Sequence, residues 1–138
     1  MRYAADRQIT IVPEIEMPGH ALAALSAYPE YACSFHSSLD LMAGAGISDQ
    51  VYCPKPQTFR FIKDILTEVA SLFPGEYIHI GGDECPKTSW EQCEDCQALI
   101  RKENLKDEFE LHAYFIQQVE KIAEGLGRKL IGWDEVLE

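Results

Sequence analysis

Apolar residues recur along this chain with two different periods. Phe59, Ile62, Leu66, Val69 and Phe73 lie three or four positions apart, as do Leu111, Phe115, Val119, Ile122 and Leu126. Each set would line one face of an α-helix. Pro74-Gly75 ends the first run and Gly127 the second, as residues that break or cap a helix do. A third helix is predicted from Ser89 to Asn104, started by Thr88 or Ser89, and Met1 to Asp6 reads as a last helical turn. Three other segments, Ile9–Ile15, Glu76–Gly81 and Lys129–Trp133, are short and largely apolar. They read as strands covered on both faces.

Strands alternating with helices predict βαβ units and a parallel sheet, an α/β fold. A long loop from Tyr31 to Pro56 follows the first strand, in the place where βα loops carry function. Three parallel strands would leave open edges and uncovered apolar faces. The pattern also opens late in a helix and closes just past a strand. The expectation is a partial TIM (β/α)8 barrel of about three parallel βα units, with residues 1–138 a fragment of a single catalytic domain truncated at both ends.

Composition narrows the partners. The 138 residues are 46% hydrophobic and 25% charged, enough for a core, and the formal net charge is −11. So acidic a chain argues against nucleic acid and anionic membranes as partners. No apolar run approaches the roughly 18 residues of a membrane span, and Met1 to Thr10 has no apolar stretch resembling a signal peptide.

Candidate chemistry gathers where the strands end. Tyr77-Ile-His-Ile-Gly-Gly-Asp-Glu84 runs from a packed strand through two side-chain-free residues, Gly81 and Gly82, into adjacent carboxylates, Asp83 and Glu84. Glycines there let another molecule approach the backbone closely. The first strand runs into Glu14, Glu16 and His20, and the third into Trp133, Asp134 and Glu135. Polar and aromatic groups at three successive strand ends point to one shared mouth, the position barrel enzymes use. His79 lies within its strand and reads as a hydrogen-bonded core residue supporting the site. Glu14 reads either as a member of the same network or as an exposed strand end.

The motifs PEIEMPGH, HIGGDE and GWDE, in this order and spacing, resemble the family 20 glycoside hydrolases, the β-N-acetylhexosaminidases. The resemblance covers nearly the whole chain and implies the third, fourth and fifth strands of a (β/α)8 barrel. It implies hydrolysis of terminal β-linked GlcNAc or GalNAc from glycans, with no metal and no organic cofactor. Most retaining glycosidases oppose two carboxyls across the scissile bond, a division of labour that suits adjacent residues badly. In the family the nucleophile is instead the substrate's own acetamido oxygen. By resemblance Glu84 is then the general acid and base, and Asp83 holds the acetamido N–H. His20 lies beside the catalytic Glu, and Trp133 walls the N-acetyl pocket. The family's first-strand arginine, the relay aspartate and the later pocket aromatics fall outside these residues, so the chain alone is expected to be inactive. Exported relatives imply export of the full-length protein.

Five cysteines remain: Cys33, Cys53, Cys85, Cys93 and Cys96. Cys93 and Cys96 form a CxxC, which leaves a disulfide, free thiols or a metal site open. The odd count leaves one unpaired, most simply Cys85. Two other readings stand beside the enzyme: a non-catalytic barrel fragment that self-associates, and a segment with a cysteine-based structural metal site.

Overall fold

A computed structural model describes residues 1–33 and 46–137. In chain order it contains α1 (Arg2–Ala5), α2 (Leu22–Ala27), a 3-10 turn (Pro29–Tyr31) and α3 (Pro56–Leu72). Then come β1 (Tyr77–His79), α4 (Thr88–Gln92), α5 (Glu94–Glu103), α6 (Glu108–Gly125), β2 (Lys129–Ile131) and a closing 3-10 turn (Asp134–Leu137). Of the long loop expected from Tyr31 to Pro56, residues 34–45 lie outside the described residues.

The two long helices follow from their sequences. Pro56 opens α3, where a missing N–H costs nothing. Its buried stripe is Thr58, Ile62, Leu66 and Val69. Phe73, which precedes Pro74, is extended and stops it. Asp107 caps α6, its carboxylate accepting from the backbone N–H groups of Phe109 and Glu110 at 3.0 Å each. Leu111, Phe115, Val119 and Ala123 form the buried face of α6.

β1 and β2 pair in parallel, with Tyr77 opposite Lys129, Ile78 opposite Leu130 and His79 opposite Ile131. The residues that begin the chain run along the other edge of β1. There the His79 N–H donates to the Pro13 carbonyl (2.9 Å), Ile15 N–H to the His79 carbonyl (2.9 Å) and Met17 N–H to the Ile80 carbonyl (3.0 Å). The expected strand over Ile9–Ile15 is therefore reduced to a single bridge, Glu14 with His79. In that register residues 9–11 fall opposite Pro74-Gly75-Glu76, a bend that offers them no strand to pair with. The expected helix over Ser89–Asn104 is also corrected. It breaks into α4 and α5 at Cys93, whose backbone is extended (φ −90°, ψ 117°).

One apolar core joins Leu25, Ile62, Leu66, Ile78, Ile80 and Phe115 between the sheet and the α3–α6 layer. A second surrounds the fully buried Trp90 and contains all five cysteines. Phe115 is completely buried and meets Phe59 with ring centroids 5.2 Å apart. Phe115→Ala should lower stability by about 3–5 kcal/mol. A shift of under about 1 kcal/mol in denaturant titration would mean that the α3–α6 layer is not the main core.

Candidate active site

The site gathers at the end of β1. Past His79 the chain makes two left-handed steps, Gly81 (φ +66°) and Gly82 (φ +91°), and after Asp83 a third at Glu84 (φ +46°). A Cβ at Gly81 would fall on the Glu16 carboxylate, and one at Gly82 on Val136. The two glycines thus give way first to the protein's own side chains. Bending the strand end in this way turns Asp83 and Glu84 toward the loop that follows Met17.

That loop brings His20, itself left-handed at φ +51°. Gly19 lets it sit close, since a Cβ there would lie 3.3 Å from the carbonyl oxygens of both Asp83 and Glu84. His20 Nε2 lies 3.3 Å from Glu84 Oε2. Ligand atoms of His20, Asp83 and Glu84 all lie within 4.8 Å of one another. Glu84 is half-exposed, whereas Asp83 Oδ1 is buried and has no hydrogen-bond partner among the described residues. A buried orphan acceptor is rare in a folded protein and needs a reason.

The remaining predicted residues stand around this point. His79 Nδ1 is 3.1 Å from Glu14 Oε1 and 3.0 Å from the Gly81 backbone nitrogen. It can accept from Gly81 or, when protonated there, donate to Glu14, but not both at once. Glu14 thus joins the network, although its side chain stays 42% exposed. Trp133 packs edge-on against His79, with centroids 4.8 Å apart, and leaves 48% of its surface open. Its backbone N–H donates to the Gly81 carbonyl (2.9 Å), which fixes the end of β2 to the end of β1.

Two of the strand-end acids, Glu135 and Glu16, and one residue the sequence did not single out, Lys87, support this arrangement. Glu135 Oε2 accepts from the Glu84 backbone N–H at 2.9 Å and holds the left-handed turn. Its place in GWDE, at the same mouth, was the available signal. Glu16 is pushed upward in pKa chiefly by burial, opposed by His20 and reinforced by Asp83 and Glu14. Lys87 Nζ donates to the Cys85 carbonyl (2.8 Å) and faces His112 Nδ1 (3.2 Å), pinning the segment after Glu84 to α6. Burial, and then Lys87, lowers His112 to about 4, so it meets Lys87 as a neutral acceptor.

Residues 1–138 match the family model described as glycosyl hydrolase family 20, catalytic domain. The chain belongs to this family. A β-hexosaminidase of Porphyromonas gingivalis is 55% identical over 139 residues, covering all of this chain and 18% of that protein. One from Vibrio furnissii is 40% identical, over 96% of this chain and 22% of its own length. The chain therefore spans about a fifth of these relatives. Among solved structures, Flavobacterium johnsoniae chitobiase superposes with a TM-score of 0.91 at 39% identity, over 99% of this chain and 21% of that one. The β-N-acetylhexosaminidase of Bacteroides fragilis gives 0.83 at 43%, over 98% and 26%. As a family 20 segment the chain carries an α/β arrangement of TIM-barrel type.

Proposed function

We propose that these residues are the acid/base end of a β-N-acetylhexosaminidase site. The intact enzyme would remove terminal β-linked GlcNAc or GalNAc by a retaining, substrate-assisted reaction. Residues 1–138 would supply strands three to five of its (β/α)8 barrel, with Pro13–Met17, β1 and β2 as those strands. The buried, unpaired Oδ1 of Asp83 beside Glu84 carries the reading. An acetamido N–H donated to that oxygen would satisfy it and aim the amide oxygen at the anomeric carbon.

The sequence of events follows. Glu84 gives its proton to the leaving oxygen while the amide oxygen closes an oxazolinium ring. Asp83 stabilises the positive charge that grows on the amide nitrogen. Glu84, now a carboxylate, takes a proton from water as it opens the ring at the anomeric carbon, which restores the original configuration. His20 is placed to hold the Glu84 carboxyl between these two roles, and Trp133 offers an aromatic face to the acetamido methyl. The half-open Trp133 and Glu84 suit a pocket whose other walls come from outside these residues. The 138 residues alone are accordingly proposed to be inactive.

The test is a pair of substrates given to the intact enzyme. An aryl β-N-acetylglucosaminide should be hydrolysed with β-configured sugar as first product, and the matching β-glucoside left untouched. Comparable turnover of the glucoside would remove the acetamido group from the mechanism and with it this assignment.

A further inference from the structure

Away from the carboxylates, four cysteines meet in one place. Cys33, Cys53, Cys93 and Cys96 are all buried, and their four sulfurs lie within 4.8 Å of one another. The Sγ–Sγ separations are 3.5 Å for Cys53–Cys96, 3.7 Å for Cys33–Cys96 and 3.9 Å for Cys53–Cys93. All five cysteines of the chain are free thiols. Cys85 stands outside the group, its thiol pushed up to about 12 by burial.

The separations have a specific meaning. Four sulfurs at the corners of a tetrahedron, each about 2.3 Å from a central zinc, lie about 3.8 Å apart. A disulfide would need two of them at about 2.05 Å. The shortest separation, Cys53–Cys96, also runs between the couples 33–96 and 53–93, so the sulfurs form one group rather than two pairs. A polynuclear iron–sulfur cluster would spread its cysteines wider. We propose that Cys33, Cys53, Cys93 and Cys96 bind a single zinc ion as a closed, structural tetrathiolate site.

The surroundings suit the charge such a site would carry. A divalent ion held by four thiolates releases four protons to solvent and leaves a net charge of two minus. Cys93 is the N-cap of α5 and Cys96 lies in its first turn, where the helix end favours negative charge. Lys55, 17% exposed, lies between the two halves, with Nζ 3.4 Å from the Ala32 carbonyl and 3.3 Å from Asp95 Oδ2. A cleft lined by Cys53, Lys55 and Asp95 opens beside the group as an entry path. Backbone pairing sets the ligands in advance. The antiparallel bridge of Ala32 with Tyr52 brings Cys33 beside Cys53, and Trp90 Nε1 donates to the Tyr52 carbonyl at 3.0 Å.

The site would staple the bridged segments around Ala32 and Tyr52, which follow the Pro13–Met17 edge of the sheet, to the α4–α5 junction that follows the carboxylates. Tyr52, next to Cys53, donates its N–H to the Pro18 carbonyl at 3.0 Å, two residues before His20. The proposed ion is thus a positioning element as well as a cross-link.

The experiment uses the full chain purified without chelator. Elemental analysis should find one zinc per chain, and five thiols should titrate after denaturation in chelator. Cobalt exchanged into the site should give the intense visible absorption of tetrahedral thiolate coordination. Cys85→Ser should keep the full zinc content, and Cys93→Ser/Cys96→Ser should lose it. If the double variant fails to fold, the metal and thiol counts on the unaltered chain still decide. A metal-free chain with one titratable thiol and a mass short by four hydrogens would mean two disulfides and overturn the proposal. So would five free thiols with no zinc uptake, or iron in place of zinc.

Discussion

Replacing Glu84 with Gln in the intact enzyme is expected to lower turnover of a natural, poor-leaving-group glycan by about 100- to 10,000-fold. Gln keeps the shape and leaves the backbone contact of residue 84 to Glu135 unchanged, but it has no proton to give. The loss should shrink for an aryl glycoside whose leaving group needs no protonation. That dependence separates a proton donor from a residue that merely shapes the pocket. Equal losses on both substrates, or a loss below about tenfold, would assign the proton transfer to another group.

Asp83→Asn should cost about 100- to 1,000-fold in kcat/KM for a different reason. Asn turns a charged acceptor into a neutral amide that can present its own donor to the substrate N–H. The penalty should appear equally in the affinity for a cyclic thiazoline mimic of the oxazolinium intermediate. Stability should hold or rise, because the substitution removes a charge with a buried, unpaired oxygen. A drop in kcat/KM with unchanged affinity for the mimic would detach Asp83 from the acetamido group. A loss of thermal stability in step with activity would make it a structural residue.

The parts of this molecule that were legible in its sequence are those governed by local rules. The stripes of α3 and α6 were readable because burial repeats with the helical period and proline or glycine marks the ends. Asp83 and Glu84 were readable because the strand, the glycines and the acids are contiguous. What escaped depends on partners distant in sequence. Ile9–Ile15 has strand composition, but its register on β1 runs out at Pro74-Gly75-Glu76. The break at Cys93 is invisible to periodicity, since the apolar spacing continues through it. The hold of Glu135 on residue 84 spans 51 positions, and no local rule anticipates such a contact. The cysteine group needed three separate segments brought to one point, so the CxxC alone left its chemistry open.

His20 and Glu84 face each other from left-handed backbone, at φ +51° and +46°. Residues with a Cβ pay of order 1–3 kcal/mol each for that conformation, and glycine or asparagine would pay less. At these two positions, then, the residues that fold best are not the ones the proposed mechanism uses. Selection for stability alone would favour glycine or asparagine at both positions, and a redesign of this segment for robustness would remove the proposed proton donor and its histidine first. Under the proposed mechanism, the histidine and the glutamate there give up fold stability for proton transfer.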